Sequence, residues 1–352
     1  MTTDRYSWRL VEPGKPLQLA QGAGRAPEAG EVLIRVAGCG VCHTDIGYTD
    51  GHVDTRGSLP LVLGHEIVGT VIEAGAGAED WVGTDVLVPA VIPCGECDLC
   101  VAGRGNACRR QQMPGNDLDG GFATHVTLPA VGLTAVDALP VGYELADMAV
   151  VADAVTTPLQ AVRRAGVTAG DLAVVVGTGG VGTYAVQVAA ASGATVIAVD
   201  IDDARLSPLL DHGAAAIVNA AGLSPRDVRE AVREHARGLD AAPTGWKIFE
   251  CSGTVPGQET AFGMLGPAGT LAVVGFTMDK VSVRLSNLMA FDANAFGSWG
   301  CPPERYREAV ELVVSGQVDL QQFTRKVPMA EVEAALALAR DGSDPRRSIL
   351  VP

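Results

Sequence analysis

Apolar and polar positions fall into two regimes along the chain. Up to about residue 150, short apolar or alternating runs (Val32–Val36, Ile67–Ile72, Asp85–Val88, Phe122–Leu128) are broken by Gly, Pro and Asp. Alternation of period two puts every second side chain on one face, so these runs predict the strands of a small β-rich, barrel-like domain. From about residue 155 the pattern changes: Leu172–Val176 is wholly apolar, a helix-compatible stretch runs from Val181 to Ala191, and the run Ala194–Val199 ends in Asp200. Apolar strands separated by helices predict a parallel sheet covered on both faces. Further strands are expected at Ile217–Val218, Lys247–Glu250 and Thr270–Val274, with a surface helix and loop over Leu223–Thr244. Beyond about residue 295 the periodicity predicts helices near 303–315 and 328–341 and a last strand at Ser348–Val351. The expected class is α/β: a β-rich catalytic domain over 1–154, a doubly wound Rossmann domain over 155–295, and a return of 296–352 to the first domain.

Composition narrows the function classes. With 43 glycines and only 5% aromatic residues among 352, the chain suits a turn-rich α/β protein. A net charge of −15 argues against nucleic acid as a partner, because phosphate binding needs a cationic face, and against anionic membranes. No apolar stretch approaches the ~20 residues that span a bilayer. The opening MTTDRYSWRL lacks the apolar core of a secretory signal, so a cytoplasmic setting is expected.

Candidate chemistry begins with the run PCGECDLCVAGRGNAC, where Cys94, Cys97, Cys100 and Cys108 stand as C-x2-C-x2-C-x7-C. That spacing lets one lobe (93–110) fold four sulfurs around a tetrahedral Zn²⁺, a closed and therefore structural site. Two disulfides could use the same cysteines but would need an oxidising compartment. Cys39, Cys251 and Cys301, in apolar or glycine-rich surroundings, read as buried core thiols.

Gly177, Gly179, Gly180, Val181 and Gly182 belong to the run G-T-G-G-V-G, which follows a strand and opens a helix. Glycines permit the tight turn and close backbone approach of a pyrophosphate, and the helix N-terminus offers free N–H groups. Asp200, at the end of the next strand, can accept from the adenosine ribose hydroxyls and repels a 2′-phosphate, so NAD is expected over NADP.

A second metal set is suggested by GCGVCHTD (Cys39, Cys42, His43, Thr44, Asp45) and by LGHEIVG (His65, Glu66), since Cys, His and carboxylate are zinc ligands and three of them leave a position open. With the four-cysteine lobe and the glycine run, these segments make the chain resemble the medium-chain, zinc-dependent alcohol dehydrogenases over its full length. The resemblance implies a GroES-like fold for the first domain and two zinc ions per chain. Catalytic zinc would be bound by Cys42, by His65 of G-H-E, and by Asp153 of VVADAVTTP. Glu66 would lie behind the metal or bind it transiently. Thr157 would sit near the nicotinamide ring, and Arg347 of RRSIL would pair with the cofactor pyrophosphate. Thr44 would take the proton of the substrate hydroxyl while the hydride passes to nicotinamide. Family members commonly carry a relay histidine five residues after the metal cysteine, where this chain has Gly47. The expected consequence is that the proton leaves by His43, His52 or ordered water, or that the chemistry needs less proton traffic than simple alcohol oxidation.

The runs MPGNDLDGGFATHV, WKIFECSGT, GFTMDKVSVRLSNLMAF and SWGCPPE are most similar to the branch that oxidises a ring hydroxyl of a cyclic acyl-CoA thioester. Arg104, Arg109, Arg110, Arg163 and Arg164 are candidates for the CoA phosphates. Other readings are a dehydrogenase for an unrelated secondary or allylic alcohol, 1,4-reduction of a conjugated enone, and a non-catalytic NAD-binding protein. The resemblance also implies a homodimer or homotetramer joined at sheet edges, here near Ala293–Ser298.

Overall fold

The computed structural model describes residues 5–352, which divide into two units. Unit one takes the chain up to Thr156 together with 300–314 and 320–352; unit two takes 157–299 and 315–319.

Unit one opens with β1 (Tyr6–Leu10), β2 (Gln18–Gln21), β3 (Glu31–Gly40), β4 (Leu61–Val62), β5 (Glu66–Ala74), β6 (Asp85–Leu87), β7 (His125–Pro129) and β8 (Thr134–Ala135). Antiparallel pairing of β3 with β5 sets Gly40 opposite Glu66, so the chain leaving β3 lies beside the chain entering β5. Their apolar side chains, Val32, Ile34, Val36, Ile67 and Val71, enter one buried cluster with Phe122 and Leu128. Phe122, expected inside a strand, instead lies ahead of β7; its amide donates to Leu63 O at 2.9 Å.

Unit two is the parallel sheet that the apolar runs imply. Its strands are β9 (Leu172–Val176), β10 (Thr195–Asp200), β11 (Ala214–Asn219), β12 (Lys247–Glu250), β13 (Thr270–Val273) and β14 (Asn294–Gly297). They lie in the order β11-β10-β9-β12-β13-β14. All five residues of β9 are buried, because helices cover both faces of its sheet. Strand order reverses between β9 and β12, and in open α/β sheets ligands bind beyond the carboxyl ends at such a reversal. β15 (Thr324–Pro328) and β16 (Arg347–Val351) return to unit one, where β16 pairs with β3.

Four helices matter below: α1 (His43–Thr49), α2 (Asp98–Val101), α3 (Thr156–Ala165) and α4 (Gly182–Ala191). The helix expected over 328–341 begins only at Val332, after Pro328 and a 3₁₀ turn, since proline cannot donate within a helix interior. No single helix among the described residues is long and apolar enough to cross a membrane.

Candidate metal centres and dinucleotide turn

Cys42 caps the N-terminus of α1 in extended conformation, and its amide donates to Asp45 Oδ2 at 2.8 Å. The other oxygen of that carboxylate accepts from Gly64 N at 3.2 Å and stands 3.6 Å from His65 Nδ1. Asp45 is thus a fully buried brace tying the Cys42 turn to the His65 turn. Nε2 of His65 lies 3.7 Å from Asp153 Oδ2, and Asp153 ends the buried 3₁₀ segment Leu145–Ala152. Ligand atoms of Cys42, His65, Glu66 and Asp153 all fall within 4.8 Å of one another. A separation of 3.7 Å is long for a hydrogen bond and suits donors sharing one ion at ~2.0–2.3 Å each. Burial alone would depress the His65 pKa, but Asp45 and then Asp153 push it well up. Such crowding of buried donors is relieved when a cation takes the place of protons.

Glu66 is fully buried. Its Oε1 accepts from Arg347 Nη1, while Oε2 has no hydrogen-bond partner among the described residues and presses on Gly40, where a Cβ would sit 1.9 Å away. Burial raises the Glu66 pKa to about 7 against the opposing charge of Arg347. Arg347, assigned by resemblance to the cofactor pyrophosphate, is itself only 9% exposed and spends a guanidinium nitrogen on Glu66. The Thr44 hydroxyl lies 3.7 Å from Cys42 Sγ, whereas His43 is exposed in the first turn of α1. At Gly47 a Cβ would meet nothing nearer than Val53 Cγ2 at 3.8 Å, so no steric demand excludes a side chain there.

In the lobe, Cys94–Cys100, Cys97–Cys100 and Cys97–Cys108 sulfurs are 3.9, 3.5 and 3.7 Å apart. The edge of a tetrahedron built on ~2.3 Å bonds is about 3.8 Å, so the four thiols fit a zinc ion as they stand. All eight cysteines of the chain are free thiols. The Glu96 and Cys97 amides pull the Cys94 pKa down to about 6, as a thiolate ligand requires. Cys39 and Cys301 are buried as expected; Cys251 is partly exposed as a residue, but burial of its sulfur pushes the thiol pKa up.

In unit two Gly177 takes φ +87° directly after β9, and a Cβ on it would strike Ser252 Cα at 2.5 Å. A Cβ on Gly182 would strike Gly177 O at 1.7 Å, so the first turn of α4 can seat on the loop only without one. Gly179, Gly180 and Val181 lie partly exposed between them. Asp200 ends β10; its Oδ2 accepts from Thr178 N at 2.6 Å and Thr178 Oγ1 at 3.0 Å, and its Oδ1 from Ile201 N at 2.7 Å. That acid therefore holds the glycine turn as well as facing the end of its strand. Thr157 is buried in α3.

Of the arginines considered for CoA, Arg109 donates to Asp98 at the start of α2, Arg110 to Glu96 and Cys94 Sγ, Arg163 to Ser192, and Arg164 to Gly297 O while stacking on Phe296. The sequence reading gave Asp45 no role; its signal was an acid three residues after Cys42.

Two families match the chain: "Alcohol dehydrogenase GroES-like domain" over residues 28–138 and "Zinc-binding dehydrogenase" over 180–315. A 2-dehydro-3-deoxy-L-galactonate 5-dehydrogenase of Pseudoalteromonas atlantica is 30% identical over 326 residues, 92% of each chain. An alcohol dehydrogenase of Geobacillus stearothermophilus is 31% identical over 309 residues, 86% of this chain and 87% of that one. Among solved structures, a cobalt- and zinc-bound thermostable alcohol dehydrogenase from Pyrobaculum aerophilum superposes with TM-score 0.85 at 27% identity, covering 99% of this chain and 100% of its own.

Proposed function

The chain belongs to the zinc-binding medium-chain alcohol dehydrogenases, and on that premise we propose that it oxidises the ring hydroxyl of 6-hydroxycyclohex-1-ene-1-carbonyl-CoA to the 6-oxo thioester. It is an oxidoreductase acting on CH–OH, with zinc and NAD as cofactors. One observation carries the dehydrogenase reading: Cys42, His65 and Asp153, from three separate stretches, bring their donor atoms into one buried group. The thioester rests on the similarity of the runs quoted above and on Gly47.

Cys42, His65 and Asp153 would hold the catalytic ion, and Cys94, Cys97, Cys100 and Cys108 the structural one. When bound, zinc would supply Lewis acidity toward the substrate oxygen and NAD would supply the hydride acceptor. Asp45 keeps His65 in one orientation through Nδ1, leaving Nε2 for the ion. Thr44, beside the Cys42 sulfur, would take the hydroxyl proton while passing its own on to His43, His52 or water. Arg347 keeps Glu66 in place close to the donor group. Gly177 to Gly182 would receive the pyrophosphate at the α4 N-terminus, and Asp200 would orient the adenosine ribose and disfavour a 2′-phosphate. Thr157 would sit near the nicotinamide ring.

A second reading, a polyol or sugar-acid dehydrogenase, is favoured by the Pseudoalteromonas relative and by the engagement of Arg109, Arg110, Arg163 and Arg164 within the fold. NADH formation at 340 nm separates the two. Turnover of the cyclic thioester but not of sugar acids or simple alcohols supports the first reading; turnover of sugar acids alone replaces it. Deuterium from labelled NADH is expected only at the carbinol carbon; label at the β-carbon would mark 1,4-reduction. The chain is further proposed to form a homodimer or homotetramer through β14, which closes its sheet with an open edge flanked by exposed Phe276, Met278, Leu285 and Met289. A monomer by light scattering would remove that assembly.

A further inference from the structure

Glu250, the last residue of β12, is fully buried, and none of the roles above uses it. One carboxylate oxygen, Oε1, accepts from Ser252 N at 2.8 Å, Ser252 Oγ at 2.5 Å and Gly253 N at 3.0 Å. The other, Oε2, is buried with no hydrogen-bond partner among the described residues. Leaving a buried polar atom unpaired is costly, so a residue with only a packing duty would be better replaced by one without that oxygen.

The Ser252–Gly253 turn and Gly275 meet this carboxylate directly, and the glycine turn reaches it through Ser252. The Ser252 backbone lies directly beneath the glycine turn, at 2.5 Å from where a Gly177 Cβ would be. A Cβ on Gly275 would meet Gly253 N at 2.2 Å and Glu250 Oε2 at 2.9 Å. The Glu250 carbonyl accepts from Val274 N at 2.8 Å and Gly275 N at 2.9 Å, which fixes the exit of β13 as well. Glu250 thus sets the relative height of the turns that follow β9, β12 and β13.

Place in the sheet gives that arrangement a purpose. A dinucleotide lies across the reversal between β9 and β12. Asp200 marks the β10 side as the adenosine side, so the nicotinamide half falls over β12 and β13, above the Ser252–Gly253 turn. We infer that Glu250 is a positioning residue for the nicotinamide half of the cofactor, acting through the Ser252–Gly253 turn and Gly275. Its carboxylate also places negative charge on the side where oxidised nicotinamide carries a positive one. This rests on the NAD reading but not on the identity of the alcohol.

The test is titration of the full chain and its variants with NAD⁺, NADH and ADP-ribose, which lacks nicotinamide; the ADP-ribose arm reports the cofactor site by itself. Glu250→Ala is expected to weaken NAD⁺ by about tenfold while ADP-ribose stays within about twofold. Glu250→Gln, which keeps an acceptor but removes the charge, is expected to lose more affinity for NAD⁺ than for NADH. Equal losses for NAD⁺ and ADP-ribose, or no loss for either, would overturn the inference. Should Glu250→Ala fail to fold, Ser252→Ala removes one of the three donors with the carboxylate in place. It is expected to weaken NAD⁺ selectively by about threefold, and unchanged NAD⁺ affinity there would likewise overturn the assignment.

Discussion

The Asp45 carboxylate stands behind the His65 imidazole, 3.6 Å from Nδ1, while the same side chain receives the Cys42 amide at 2.8 Å. One acid therefore aims two of the proposed zinc ligands. Asp45→Asn is expected to weaken zinc at that centre by about 10–100-fold while the four-cysteine lobe keeps its ion. Metal analysis after dialysis against a chelator would show one zinc per chain and a matching loss of activity. Two retained zincs with full activity would remove Asp45 from the centre.

Arg347 and Glu66 form a buried ion pair whose loss should be felt in stability before catalysis. Arg347→Met leaves the Glu66 carboxylate buried and uncompensated, at a cost of about 3–5 kcal/mol. Adding Glu66→Gln to that variant is expected to recover part of the loss. Urea unfolding of the two variants checks the order; a double variant no more stable than the single would contradict the pairing.

Asp50, which caps the C-terminus of α1, takes a two-pronged contact from Arg340 of the helix Val332–Asp341, at 3.0 Å from Nε and 2.6 Å from Nη2. The Arg340 hydrogen bond holds the Asp50 pKa below its ordinary value. A depressed carboxylate contributes stability above its unfolded pKa of ~3.9, and that contribution disappears as pH falls through the lower folded value. Both side chains are partly exposed, so Arg340→Ala should cost no more than ~1 kcal/mol near pH 7. Melting curves of the variant and the parent should converge toward pH 3; a gap that stayed constant with pH would assign the loss to packing.

Gly47 sits inside α1, where a Cβ would make only an ordinary contact with Val53 Cγ2 at 3.8 Å. Gly47→Ala is expected to stabilise the chain by ~0.5–1 kcal/mol, because an interior glycine costs that much against alanine, with the rate unchanged. Thermal melts and steady-state rates decide it. A fall in kcat would show that the bare backbone there serves the chemistry.

Much of this architecture is legible from residue order alone. Leu172–Val176 appears as a strand over the expected bounds, because a strand buried on both faces must be continuously apolar; Lys247–Glu250 does so too, with only Ile248 and Phe249 apolar between its charged ends. The donors are legible too: Cys42 and His65 from their own fragments and Asp153 through the family resemblance, and the structure brings their ligand atoms together with that of Glu66. What sequence could not show is what those side chains do to each other. Asp45, Glu66 and Glu250 are all acids without exposure, and an acid beside a ligand reads the same on paper whether it braces a histidine, pairs with Arg347 or anchors a turn. The 3₁₀ segment Leu145–Ala152 is hidden for another reason: it is apolar but for Asp147, so it carries neither a period of two nor one of 3.6.

The two metal sites differ in how far their donors must travel to meet. Cys94, Cys97, Cys100 and Cys108 close within one short loop, whereas Cys42, His65 and Asp153 meet only after β3 has paired with β5 and Asp153 has arrived from far along the chain. Loop closure is cheapest for the nearest donors. The lobe can therefore capture its ion while the polypeptide is still emerging, and the open centre loads last. Refolding under limiting zinc should accordingly yield chains that are half-loaded in one way only.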